Sequence, residues 1–322
     1  MKRILFISVL LALTVVLGAS GQNSSTHDSI QTLPDGTKYL VHPSEIKSGG
    51  PPPDGIPSID NPKFVSVKEA DSWLADDDIV VVYQQDDIAR FYPFQILVWH
   101  EIVNDTVDGF PLLITYCPLC GSAIAFERTI DGEPVEFGTS GKLYNSNLVM
   151  YDRKTRTYWT QIGGRAIIGD LVGEELTPVS INTVQWGNWK HLYPDAEVLS
   201  RETGHFRSYG RDPYGGYYSQ DYLMFPVENL DKRIHSKTVI YGIKLNGVHK
   251  AYPENLVLKE SIINDAVGGT EITITINKLG GVRMAERDSG REVVFERDFW
   301  FAWAAFYPET LLFGSESDGE SS

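Results

Sequence analysis

Basic charge is scarce in this chain: 28 Lys and Arg stand against 43 Asp and Glu, a formal charge of −15 over 322 residues. Neutralising nucleic-acid phosphates needs clustered Lys and Arg, so nucleic acid is excluded as a partner. Docking on an anionic bilayer surface is disfavoured on the same ground. After residue 22 no apolar run approaches the roughly 20 residues that a membrane-spanning helix needs. The chain also lacks a Gly-rich phosphate loop, a nucleophile elbow and a His-Glu-x-x-His motif, which leaves the common phosphoryl, acyl and zinc-peptidase chemistries without their signatures. Cysteine is nearly absent too. There are two, Cys117 and Cys120.

What is present describes a folded protein, with 42% hydrophobic and 22% charged residues. Met1-Lys2-Arg3 is a basic start, residues 4–17 are an almost unbroken apolar run, and Gly18-Ala19-Ser20-Gly21 supplies small residues. That order is the one of a secretory signal over residues 1–21, with an uncleaved N-terminal anchor as the alternative, so the mature protein is expected to be exported. Residues 22–62 are rich in Ser, Gly, Pro and Asp, which reads as a flexible linker. Residues 314–322 read as a frayed, disordered tail.

Between these lies an internal duplication. Residues 80–121 align without a gap to 240–281, pairing Tyr92-Pro93 with Tyr252-Pro253 and Asn104-Asp105 with Asn264-Asp265. Ile102, Val107, Gly109, Ile114, Thr115, Leu119 and Gly121 likewise find Ile262, Val267, Gly269, Ile274, Thr275, Leu279 and Gly281. Self-similarity of this kind implies two copies of one supersecondary unit. The expected fold is α+β and β-rich, one domain of two related halves: residues 63–235 with an insert and the cysteine turn, and a degenerate second half over 236–313.

Each half reads as a strand, a polar turn, a second strand into Tyr-Pro, and then a short helix opened by Pro93 or Pro253. Ile96, Leu97, His100 and Val103 share a helical face. A hairpin of 96–103 with 111–117 fits the apolar pattern almost as well. Asn104-Asp105 recurs in the second half and reads as turn-forming, in a Gly-containing turn over 105–109. Ser180 suits the N-cap of a helix to about His191.

The chemistry is expected at Cys117-Pro118-Leu119-Cys120-Gly121. In an oxidising compartment thiols pair, hold a metal, or are kept reduced by a partner. The alternating residues after Cys120 favour a strand, so the turn has the shape of a metal knuckle between two strands, with Gly121 at positive φ. A full structural metal site needs a second knuckle that this chain lacks, so other donors must join: His100 as a nitrogen donor and Met150 as a thioether. Such a soft set suits Cu or Zn. The second half has Asn277-Lys278-Leu279-Gly280-Gly281 at the equivalent turn, which keeps the shaping residues without any soft donor. One site is therefore implied.

Two other readings use the same residues. The cysteines could be a thiol–disulfide exchange pair, activated by a depressed pKa. Or they could bridge structurally in a small-ligand module whose pocket draws on Glu101, Asp152, Arg153, Trp159, Gln161 and Tyr214. The loop over 214–218 could stack a sugar or seal an edge, and sealing is the favoured role.

The runs His100-Glu101-Ile102-Val103-Asn104-Asp105, Thr115-Tyr116-Cys117-Pro118-Leu119-Cys120-Gly121, Ser140-Gly141-Lys142-Leu143, Met150-Tyr151-Asp152-Arg153 and Trp159-x-Gln161 together resemble an exported prokaryotic family defined only as a domain of unknown function, number 3179. The resemblance spans roughly residues 65–313. It implies membership and export, and carries no activity, substrate or cofactor.

Overall fold

The computed structural model describes residues 29–85 and 88–315. The signal reading of residues 1–21, the Asp86-Asp87 turn and the tail beyond Ser315 lie outside the described residues.

The fold is β-rich α+β, with 41% of residues in strands and 15% in helices. A five-stranded sheet has the order Ile181–Gln185, Ile79–Gln85, Ile88–Pro93, Glu197–Leu199, Phe64–Ser66. A larger sheet runs Leu311–Leu312, Val248–Pro253, Val239–Leu245, Glu296–Phe299, Ser122–Glu127, Phe110–Cys117, Ile102–Val107, with Pro178–Val179 added beside Ser122–Glu127. A third is built on the antiparallel strands Phe137–Tyr144, Asn147–Asp152, Tyr158–Thr160 and Ala166–Ile168. Between the second and third sheets lies a core holding Leu113, Cys117, Cys120, Phe126, Phe137, Met150, Trp159 and Phe301. Asn104 bolts the two sheets together: its Nδ2 donates to the Phe137 carbonyl at 2.8 Å, and its Oδ1 accepts from the Phe137 N–H at 2.8 Å.

Strand, strand, helix and three further strands follow one another twice. In the first run the helix is Phe94–His100, packed through Ile96, Leu97 and His100. In the second it is Glu254–Glu260, and the three strands after it, Ile262–Val267, Thr270–Ile276 and Val282–Glu286, form a separate small sheet. Each helix stops at a residue of positive φ, Glu101 at +59° and Ser261 at +62°, whose N–H still closes on the carbonyl four residues back. The helix is realised and the alternative hairpin of 96–103 with 111–117 is not: the strand begins only at Ile102, so Val103 leaves the helical face and lies in Ile102–Val107, paired with Phe110–Cys117.

Three expectations are corrected. Asn104-Asp105 is not a turn but mid-strand; the turn is Asp108-Gly109, at φ +47° and +83°. Asp105 is 3% exposed and takes the Tyr92 hydroxyl at 2.6 Å and the Arg90 guanidinium at 2.8 Å. Ser180 caps no helix: Ile181–Gln185 is a strand against Ile79–Gln85, and only Trp186–Trp189 is helical. Ile181 and Val184, three residues apart, bury in two different core clusters on a strand covered on both faces, which decides against the cap. Finally, residues 29–62 are not a loose linker. Tyr39 pairs with Ile168, Lys47 and Ser48 pair with Leu143 and Lys142, and Ile59 is bonded to both Ile102 and Asn104. A few apolar residues, Tyr39, Leu40, Val41 and Ile59, bury here, and the sheet edges supply backbone partners that composition does not reveal.

Candidate thiol site

Cys117 ends one strand and Ser122 begins the next, so the cysteine turn is a single 3-10 turn, Pro118–Cys120, inside an antiparallel pair. Pro118 presets the first position, and Gly121 closes the turn at φ +59°. The Phe299 ring lies 2.9 Å from where a Cβ on Gly121 would stand, so both backbone angle and space require glycine there.

The two thiols are neighbours, both buried and not joined in a disulfide. Cys120 donates to the Ser146 carbonyl oxygen, with Sγ 3.3 Å away. Burial pushes the Cys120 thiol well above its ordinary value, and the adjacent Cys117 adds to the effect, so Cys120 is held as the thiol. Ser146 sits in a tight turn, with Asn145 and Ser146 at φ +46° and +65°. Behind the thiols runs a buried amide relay. Asn147 Nδ2 donates to Gln161 Oε1 at 2.8 Å, while Gln161 Nε2 donates to Thr115 Oγ1 and the Ser122 carbonyl at 3.0 and 3.1 Å.

Over the turn lies the tyrosine loop. Tyr217 is fully buried and its hydroxyl donates to the Leu119 carbonyl at 3.0 Å. Lys237 fastens the loop by donating to the carbonyls of Tyr217, Gln220 and Tyr222 at 2.5, 2.6 and 2.9 Å. Its ammonium stands 3.5 Å from the Tyr217 ring centroid, within cation–π range. Burial raises the Tyr217 and Tyr214 hydroxyls, and the nearby cysteines raise them further.

Of the residues expected to act with the thiols, Met150 packs in the same core cluster. His100 does not join them. Its Nδ1 donates to the Pro57 carbonyl at 2.7 Å, and its Nε2 accepts from the Tyr209 hydroxyl at 2.7 Å, so both ring nitrogens are committed elsewhere. Burial lowers it to about 4. Among the described residues no three His, Cys, Asp or Glu side chains converge in a way that could hold a metal ion.

The expected pocket residues do not converge on one cavity. Asp152 accepts from Thr155, Thr157 and Trp159 Nε1, a turn-organising role. Arg153 reaches outward to Asp54 and Asp60. Trp159 is core, and Gln161 serves the amide relay. Glu101 lies within electrostatic reach of Tyr214, which Cys117 also influences, and burial raises its carboxyl to about 8.

Sequence reasoning missed Ser146, Asn147, Lys237 and Asp298, and it named the loop holding Tyr217 as an edge seal without tying it to the cysteine turn. Asp298 is fully buried, burial pushes it up to about 7 against the lowering effect of the Ser122 hydroxyl, and its charge reaches Cys120. Phe-Trp-rich surroundings from Phe299 onward were the one local signal that this acid is enclosed.

Fold and site together define a β-rich α+β protein with one sheltered pair of unlinked thiols. The chain belongs to the family described as a protein of unknown function, DUF3179, whose profile matches residues 53–297. No curated protein and no solved structure matches the chain.

Proposed function

We propose that this is an exported thiol protein in which Cys117 and Cys120 pass between a dithiol and an intramolecular disulfide beneath a tyrosine cover. The observation that carries the reading is the adjacency of two unlinked, buried thiols on one three-residue turn, with Cys120 kept protonated by burial and by Ser146. Exchange with a partner disulfide would begin at Cys117, as the thiolate attacks one sulfur and the other leaves as a thiolate. Cys120, once deprotonated, displaces the mixed disulfide. The partner departs with two thiols, which take up the two protons that Cys117 and Cys120 release. No helix N-terminus follows Cys120, so activation must come from elsewhere than a helix dipole. Access requires the loop over 203–235 to lift; its one regular element is the 3-10 turn Gly215–Ser219, the kind of segment that opens at low free energy.

Redox titration of the mature chain with alkylation trapping tests this. The expected result is a two-electron couple that vanishes in Cys117→Ser and in Cys120→Ser. A pair that stays unoxidised under strong oxidant, even with the cover loosened by Tyr217→Phe, overturns it.

Met150 favours a second reading, since its thioether shares the buried cluster with both sulfurs and would complete a soft set for Cu or Zn. Competition for Cu(I) against a chromophoric chelator, lost in Met150→Leu while the redox couple persists, would select that reading.

The same proposal takes the chain as a duplication. Tyr92 donating to Asp105 and Tyr252 to Asp265, at 2.6 and 2.8 Å, support it, as do helices ending alike at Glu101 and Ser261. The second unit would then be a scaffold that lost, or never gained, the thiols.

A further inference from the structure

Away from the thiols, two cavities adjoin where the third sheet meets the strands Val239–Leu245 and Val248–Pro253 and the helix Trp300–Phe306. They share Gly163, Glu175, Lys244 and Tyr307, and have volumes of about 370 and about 550 Å³. Those volumes fall in the range of small-molecule sites. Gly163 stands at φ +74° with the Tyr307 hydroxyl 2.7 Å from the place of a Cβ, so glycine keeps this junction free of a side chain.

Three buried polar atoms that line this cleft have no hydrogen-bond partner: Arg165 Nε, His249 Nε2 and Glu296 Oε2. They come from three separate parts of the chain. Buried polar groups are paired almost without exception, and an unpaired one is destabilising by about 1–3 kcal/mol. Glu296 lines the smaller cavity and Arg165 and His249 the larger, and three such atoms around two adjoining cavities describe a cradle for something that both donates and accepts.

The charge of the cleft narrows what that is. Burial lowers His249 to about 4, so its ring is neutral at physiological pH. Burial, with Asp298 alongside, raises the Glu296 carboxyl well above its ordinary value, so it stands as the neutral acid. Lys244 faces Glu175 at 3.6 Å, which cancels that charge locally. The Arg165 guanidinium opposes a cation while Glu175, Glu228 and Glu309 at the walls oppose an anion, so no field of one sign selects a charged ligand. A hydroxyl both donates and accepts, and so satisfies a guanidinium N–H, a neutral imidazole and a neutral acid alike. Ring surface is also at hand. Tyr307 stacks on His249 at 4.0 Å, and Trp303 tilts against Tyr307 at 4.4 Å.

We propose that the cleft between Arg165, His249 and Glu296 binds a neutral polyhydroxylated ligand of mono- or disaccharide size, at a site separate from the cysteine turn. Its occupation would supply the partners that three buried atoms lack.

Titration calorimetry of the mature chain with glucose, galactose, N-acetylglucosamine and cellobiose, and with glucuronate as the anionic control, tests this. At least one neutral sugar should bind. His249→Ala and Arg165→Ala should each weaken it about tenfold, the worth of a buried hydrogen bond. Glu296→Gln, whose amide stands in for a neutral acid, should hold affinity within about twofold, whereas Glu296→Ala should not. Circular dichroism identifies any variant that fails to fold, and the Glu296 pair then carries the comparison. Binding of no neutral sugar, binding of glucuronate alone, or a folded His249→Ala with unchanged affinity would each overturn the proposal. Cys117→Ser should leave binding untouched, so failure here and failure of the thiol reading are read out separately.

Discussion

The Tyr217 hydroxyl donates to the carbonyl oxygen of Leu119, 3.0 Å away, and so ties an otherwise irregular loop to the middle of the turn between the cysteines. This bond is one of the ties that hold the loop over the thiols. One hydrogen bond of this kind contributes about 1 kcal/mol. Tyr217→Phe should accordingly raise the rate of maleimide alkylation of the reduced protein about fivefold, when opening is fast relative to labelling. An unchanged rate would show that the loop does not gate the pair.

Lys237 should matter more than Tyr217. Its ammonium serves three loop carbonyls at once while being only 6% exposed. Lys237→Met keeps the packing stem but leaves those carbonyls unpaired, and is expected to speed alkylation by more than Tyr217→Phe does. Hydrogen exchange of residues 214–222 should rise with it.

The Asp105 node should be among the most sensitive points of the fold. Removing Asp105 takes the acceptor from the Tyr92 hydroxyl and leaves Arg90 only the more exposed Glu197 and the Thr106 carbonyl, so Asp105→Ala should destabilise by about 3 kcal/mol in chemical denaturation. Asp265→Ala, which removes the partner of Lys250 at a site 18% exposed, should cost less. Equal losses would contradict the burial difference.

Glu101 makes a pH prediction. Burial raises its folded-state value to about 8 from the ordinary 4.5. Between those values the folded chain holds a proton that the unfolded chain has released, so stability is greatest below about 4.5 and falls as pH rises to 8. Glu101→Gln should raise the melting temperature more at pH 8 than at pH 5. His100 acts oppositely: lowered to about 4, it adds stability as pH rises from 4 to about 6.5.

Gly121→Ala should be costly although the change is one methyl group. Its φ of +59° and the Phe299 ring at 2.9 Å together imply a loss of about 1–3 kcal/mol, measured in urea. Phe299→Leu should recover only the steric part.

Much of the local structure was legible. Apolar runs over 79–84, 112–116 and 123–126 gave strands where strands stand, because a strand covered on both faces reads as a continuous apolar run. The Asn246-Gly247 turn was likewise written in two residues that accept positive φ, +48° and +79°, and the helices after Pro93 and Pro253 in a ring that fixes φ. The site was legible only as a pair. Cys117 and Cys120 are held together by three peptide units, and proximity in sequence guarantees proximity in space. The role given to His100 was not, because its true partners, Pro57 and Tyr209, lie 43 and 109 residues away. Residues 29–62 misled for a related reason: their hydrogen bonds belong to distant strands, from Ile102 beside Ile59 to Ile168 beside Tyr39.

By itself, then, the sequence determined a β-rich chain with one three-residue thiol turn, since torsional limits and side-chain alternation act over a few residues. Only the tertiary structure decided what stands around that turn. Burial and hydrogen bonding are properties of where distant segments meet, and it is their meeting that keeps Cys120 a thiol, commits His100 elsewhere and leaves Arg165, His249 and Glu296 facing one cleft.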